Sequence, residues 1–223
     1  MARGKLLMLT HSAGFKHDYL PVAIETVRGL GREADQFDVT AAEDCSAVDW
    51  GKLGDFSAVL FATTGELPMS EEQKRSLIEF VRSGKGFIGV HNATDTFYKF
   101  PEYGQVVGGY FSGHPWTQEV TVIVEDGSHP ATSFLPSKFV VKEEVYTFKD
   151  WSRDNVHVLI SLDNSSVDLG RGTRSDHDYA MCWHHDFGRG RVFYTGFGHF
   201  KELWKENWFR IHLARGIQWA MNP

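Results

Sequence analysis

Three uninterrupted apolar runs limit what this chain can fold into more than any other feature. They are Leu6-Leu-Met-Leu9, Ala58-Val-Leu-Phe-Ala-Thr63 and Phe87-Ile-Gly-Val-His91. Each is short for a helix, and none alternates with polar residues as a strand with one wet face would. They predict strands covered on both faces, as in a parallel sheet. The stretches between them carry helical patterns. Pro21 suits a first helical turn, and Val22, Ala23, Ile24, Val27, Leu30 and Ala34 follow at helical spacing. Phe37 to Ala41 reads as a further strand. Ser70 and Gln73 form a capping box for a helix whose inner stripe is Leu77, Ile78 and Val81, and Gly84 and Gly86 stop it. The order β-α-β-β-α-β favours an α/β layered fold.

The second half is different. Val120 to Val124, Lys138 to Tyr146 and Val156 to Leu162 are β-rich, and they either extend the sheet or form a β-rich insertion. Ala180-Met-Cys-Trp183 reads as a buried strand, Arg191 to Thr195 as a late strand, and Trp204 to Met221 as a closing amphipathic helix. With no repeat, low-complexity tract or linker in 223 residues, a single domain over 1–223 is expected.

Composition excludes several classes. Lys and Arg number 23 against 29 Asp and Glu, a formal charge of −6. A mildly acidic chain is a poor partner for nucleic acid or an anionic membrane surface. The apolar fraction of 42% supports a real core and argues against disorder. Leu6 to Leu9 is too short for the core of a signal peptide, and nothing approaches a membrane span, so a cytoplasmic protein is expected. Two cysteines, Cys45 and Cys182, make no disulfide framework, and both read as buried small hydrophobes rather than nucleophiles.

Histidine is the unusual entry in the composition, with eleven copies. In open α/β sheets, ligands bind beyond the carboxyl ends of the strands. Three polar loops fall there. The first carries His11, His17 and Asp18; the second carries His91, Asn92, Thr94 and Asp95; the third carries His199 after Gly196-Phe-Gly198. Phe87 to Asp95 has the outline of a nucleophile elbow, a strand running into a sharp turn, but His91 stands where a Ser or Cys would. His114 lies in Ser112-Gly-His-Pro115, and Glu143-Glu144 closes a β-rich run. Glu144 could act as a general base or a metal ligand, or the two could form a solvated acidic pair. His11, His177, His184 and His185 are candidates for supporting or metal-binding roles. His129, His157 and His212 read as structural.

Several of these residues sit in blocks that resemble the ThuA-like proteins, named for a trehalose-utilisation protein. The blocks are Ala13-Gly-Phe-Lys-His-Asp18, Gly65-Glu-Leu67, Phe80 to His91, Ala93-Thr-Asp-Thr-Phe-Tyr98, Gly108 to Pro115, Glu143-Glu-Val-Tyr146, Gly188 to His199 and His212 to Ala220. The resemblance implies a flavodoxin-like, class I glutamine amidotransferase-like layered sheet with helices on both faces. It also implies a role in carbohydrate catabolism, beside sugar dehydrogenases that make keto-sugars from disaccharides. His91 then occupies the place of that fold class's catalytic Cys, so glutaminase activity is not implied. Two blocks depart from the family pattern. Glu-Glu-Val-Tyr stands where Asp-Glu-Trp-Tyr is common, and Tyr179-Ala180 replaces an expected Pro before Trp183, which weakens any role for His177 or Asp178.

The leading functional expectation is an enzyme acting on a sugar or keto-sugar as hydrolase, lyase or isomerase. His91, Asp95, Glu144 and His199 would carry acid/base chemistry. His17, Asp18, Asn92 and His114 would line the pocket, and Tyr98 and Trp116 would stack on sugar faces, with Phe97 beside them. A divalent metal such as zinc could hold a developing enolate. The alternative is a non-catalytic sugar-binding or regulatory module on a degenerate amidotransferase scaffold. A third expectation is an interaction subunit of a sugar dehydrogenase, or a homo-oligomer, using aromatic residues of the last helix.

Overall fold

The computed structural model describes residues 3–33 and 36–222; Ala34, assigned above to the first helix, lies outside them. The elements run β1 (Gly4–Leu9), α1 (Leu20–Glu33), β2 (Phe37–Ala42), β3 (Ala58–Phe61), α2 (Glu71–Arg82), β4 (Gly86–Val90), α3 (Pro101–Val107), β5 (Tyr110–Val124), β6 (Lys138–Lys149), β7 (His157–Leu162), β8 (Ala180–Phe187), β9 (Gly190–Thr195) and α4 (Asn207–Met221). Among the described residues, nine strands form one sheet in the order β2-β1-β3-β4-β9-β8-β7-β5-β6. The five from β2 to β9 are parallel, and the remainder pair antiparallel.

The apolar runs are explained by what covers them. Alternate residues point to opposite faces of a strand. Leu6, Met8, Leu60 and Ile88 join the core under α1 and α4. Leu7, Leu9, Val59, Phe61 and Phe87 join the core under α2 and α3. Both faces are dry, so neither can be polar. Ser70 caps α2 as its sequence indicates: its hydroxyl accepts from Gln73 N, and its own N donates to the Gln73 side chain at 2.8 Å.

The two readings of the middle region are reconciled. Strands β5 to β8 interrupt the sequence between β4 and β9, which are neighbours in the sheet, yet they extend that same sheet. Helix α3 has no counterpart in the sequence reading. Its signals are Pro101 in the first turn and Gly108, at φ +98, just past the end.

The closing helix begins at Asn207, after a 3₁₀ turn at Leu203–Lys205. Its aromatic residues are largely spent inside the fold. Trp208 packs on Phe139 and Phe197, and Trp219 packs on His129, His184 and the Arg191 guanidinium. The large exposed hydrophobic side chains among the described residues are instead Phe15 and Val140. No helix among them is long and apolar enough to cross a membrane.

Candidate functional site

Parallel strands in one sheet deliver their following loops to one edge. The loops after β1, β4 and β9 bring His17, His91 and His199 together there. The ring centres of His91 and His17 are 5.2 Å apart, those of His91 and His199 5.2 Å, and those of His17 and His199 5.6 Å. The fourth member, Glu144, comes from β6 at the far edge of the sheet. Strand β5 loses register around Gly113, which has φ +130, and such irregularities bend a strand. The β5–β6 pair so shaped brings Glu144 and His114 to the histidines.

His91 sits at the tip of β4 with φ +43, a left-handed conformation uncommon outside Gly and Asn. Its ring is fully buried and closely held. Nδ1 lies 2.8 Å from the Gly196 carbonyl, which can only accept, so Nδ1 carries a hydrogen and, in the neutral ring, Nε2 presents a lone pair. The Tyr194 hydroxyl donates to the His91 carbonyl at 2.7 Å, and the Tyr146 ring lies 4.3 Å from the imidazole.

Three polar atoms then meet. His91 Nε2 is 3.2 Å from His199 Nδ1 and 3.5 Å from Glu144 Oε2, and His199 Nδ1 is 3.1 Å from Glu144 Oε2. Burial would raise the Glu144 carboxyl, but its contacts with His199 and His91 outweigh it and hold it well below the usual range. Burial would likewise lower His199, yet Glu144 and then Glu143 lift it above the ordinary histidine value. Both shifts favour an ionised Glu144 carboxylate facing the charged form of His199, whose Nδ1 lies between Glu144 Oε2 and His91 Nε2. His17 stays neutral, pushed down to about 3 by burial and by the two neighbouring histidines. Its Nδ1 is 3.1 Å from the Asn92 amide, whose oxygen accepts from the Tyr19 hydroxyl at 2.6 Å. His114, half exposed, holds the other Glu144 oxygen at 3.2 Å.

Glu143, offered by the sequence only as half of an acidic pair, positions the cluster from beneath. It is completely buried, and its carboxylate accepts from Gly198 N at 2.8 Å, His199 N at 3.2 Å and Glu144 N at 2.9 Å. Burial raises its carboxyl, against the opposing pull of His91 and of these N–H groups. The signal for it was strand alternation: adjacent Glu residues on a strand face opposite sides, so one of them has to be satisfied by the protein interior.

The remaining site expectations divide. Asp18 is exposed at the rim, paired with Lys201 at 3.2 Å. It shares a cleft of about 450 Å³ with Phe15, His17, His199, Phe200 and Lys201. Asp95 is not hydrogen-bonded to the cluster; it takes the Tyr98 hydroxyl at 2.6 Å, and burial raises its carboxyl. Tyr98 is thereby turned to Asp95 and the Phe111 carbonyl, with Lys149 over its ring, rather than to the cleft. Trp116 is a correction. Its indole is fully buried, packs edge-on against Tyr179 and donates to the Asp168 carbonyl at 3.0 Å, so no sugar can stack on it. Phe97 is fully buried as well.

His11 faces Asp44 and accepts from Cys45 N, outside the cluster. His157, read as structural, instead groups with Asp126 and His184 at a second cluster of ligand-type atoms. Both thiols are buried; burial, then Asp44, pushes Cys45 up to about 12, and burial raises Cys182 well above the ordinary thiol value.

Fold and site together define a class: a layered α/β protein with a glutamine amidotransferase-like fold and a histidine at the strand-tip elbow. The family follows from the sequence itself. The ThuA family model, described as trehalose utilisation, matches residues 5–220, and the chain belongs to that family. Among solved structures it is similar to a ThuA-like protein from Bacteroides uniformis (23% identity, TM-score 0.79, covering 98% of this chain and 91% of that one). A ThuA-like protein from Parabacteroides merdae is comparably similar (20%, 0.78, 99% and 90%). The fold also matches a chain in the structure of PurLQS from Thermotoga maritima (14%, 0.58, 98% and 99%). A search of curated proteins finds no match.

Proposed function

We propose that this chain is an enzyme of sugar catabolism that moves protons on a disaccharide-derived sugar or keto-sugar. One observation carries the reading: His199 Nδ1 lies 3.1 Å from Glu144 Oε2 and 3.2 Å from His91 Nε2, beside an open cleft. A carbon next to a keto group is acidic enough for a positioned base to deprotonate, and the oxyanion that forms needs a donor. His91 Nε2, fully buried, reaches a substrate only through His199, which lines the cleft, so the pair suits a proton relay. His199 suits the donor, because Glu144 favours its charged form. The family's description, trehalose utilisation, supports a sugar as substrate. Exposed Phe15 and the neighbouring Phe200 offer apolar faces for sugar rings at the cleft, and the Asp18–Lys201 pair offers polar contacts for hydroxyls.

The test is solvent exchange. A keto-disaccharide derived from trehalose is incubated with the protein in deuterated water and followed by NMR. Deuterium entering next to the keto group, with or without further conversion, is the expected result, and His91→Asn should abolish it. Sugar that binds without exchange or conversion, including with divalent metal supplied, would leave a binding module and overturn the enzyme reading.

A further inference from the structure

We propose that His17, His91, His199 and Glu144 form a mononuclear site for a divalent transition metal of the zinc class. The first argument is spacing. Four-coordinate zinc holds N and O ligands at about 2.0–2.1 Å, which puts ligand atoms roughly 3.3 Å from one another. The three edges among His91 Nε2, His199 Nδ1 and Glu144 Oε2 are 3.1, 3.2 and 3.5 Å. His17 supplies the fourth ligand-type atom, and all four lie within 4.8 Å of one another.

The second argument is that the surroundings already orient each donor. The Gly196 carbonyl takes the Nδ1 hydrogen of His91 and so leaves Nε2 as the coordinating lone pair. His114 occupies Glu144 Oε1 at 3.2 Å, which leaves Oε2 for the centre. Asn92 holds His17 Nδ1 and leaves Nε2. For that nitrogen to be a ligand, Asn92 must present its oxygen to Nδ1–H. Turning the amide over keeps both bonds, because the Tyr19 hydroxyl on its other side can accept as readily as donate. Glu143 fixes the backbone of His199.

The third argument is donor type. Three imidazoles and one carboxylate suit zinc, cobalt, iron or manganese, whereas calcium and magnesium favour all-oxygen sets. His91 is fully buried, while His17 and His199 line the cleft, so a substrate oxygen has access to an ion there. Such an ion would take the place of the proton at His199 Nδ1 and occupy His91 Nε2, and would act on a sugar carbonyl as a Lewis acid instead of that proton-carrying pair. Only this last role rests on the enzyme reading; occupancy of the site does not.

The experiment starts from the full chain stripped with chelator and titrated with Zn²⁺ and, separately, Co²⁺. The expected result is one tightly bound ion per chain, with the intense visible absorption of low-coordinate cobalt and imidazole scattering in the X-ray absorption spectrum. Glu144→Gln and His199→Ala should weaken binding at least tenfold, and Asn92→Ala ten- to a hundredfold. His157→Ala, in the separate Asp126–His157–His184 group, should leave the tight site unchanged. Absence of a stoichiometric ion in the wild type, or loss of it through His157→Ala alone, overturns the proposal. Full solvent exchange in metal-free protein overturns the metal's catalytic role and leaves the enzyme reading standing. A tight ion without exchange or conversion upholds the site and overturns the enzyme reading.

Discussion

His91 Nδ1 donates to the Gly196 carbonyl at 2.8 Å, across the tips of the adjacent strands β4 and β9. This bond fixes the tautomer of His91 and ties the elbow to the loop that carries His199. His91→Asn is the sharpest probe of it, since Asn tolerates the left-handed backbone found at this position. The variant should fold and lose turnover by about 10²- to 10⁴-fold, the usual worth of a positioned acid or base. Circular dichroism and steady-state rates measure the two effects separately. Retained turnover would remove His91 from the chemistry.

Glu143 and Glu144 are neighbours with opposite duties, and isosteric substitution should separate them. In Glu143→Gln, an NH₂ group replaces one of the oxygens that accept from three backbone N–H groups. Leaving buried donors unmatched costs about 1–3 kcal/mol. The expected outcome is a lower urea midpoint together with impaired turnover, as His199 loses its anchor. Glu144→Gln should cost little stability and abolish turnover. Equal urea midpoints for the two variants would argue against a positioning role for Glu143.

Much of this site follows from strand order. Once β1, β4 and β9 are parallel, His17, His91 and His199 must emerge at one edge; the apolar runs indicate this for β1 and β4, and the pairing of β4 with β9 shows it for the third. Glu144 and His114 are harder to place, because they arrive on a long antiparallel pair whose register is set by contacts remote in sequence and by a break at Gly113. The same break explains Trp116. It shifts the phase of β5, so an aromatic residue two positions after His114 faces the core rather than the cleft. Asp95 sits in the same loop as His91, and only the Tyr98 hydroxyl one turn later shows where its carboxylate is used.

Acid should destabilise the fold through histidines outside the site. Burial pushes His212 down to about 4, and also His129 and His184 to about 4. His212 is completely buried, donating through Nδ1 to the Ala131 carbonyl and accepting at Nε2 from Thr195. The unfolded chain protonates these groups near 6.5, so between pH 6.5 and 4 it binds protons that the fold does not. Stability is therefore complete above about pH 6.5 and falls as pH drops toward 4, by roughly 2 kcal/mol at pH 5 for His212 alone. Urea midpoints across this range should fall steeply in the wild type and less steeply in His212→Gln. Parallel slopes would contradict the assignment.

Phe15 and Trp116 should respond in opposite ways. Phe15 is 69% exposed at the cleft and sits edge-on to His17, whereas Trp116 is completely buried. Truncating an exposed ring changes stability by less than about 0.5 kcal/mol, while altering a buried indole that holds a hydrogen bond costs about 1–3 kcal/mol or more. Phe15→Ala should keep the wild-type melting temperature and raise KM, because a face offered to the sugar is gone. Trp116→Phe should lose the bond to the Asp168 carbonyl, melt at a lower temperature and keep its KM. Thermal melts and substrate titrations on the two variants decide the matter. If Trp116→Phe raised KM without a loss of stability, Trp116 would have to reach the substrate after all.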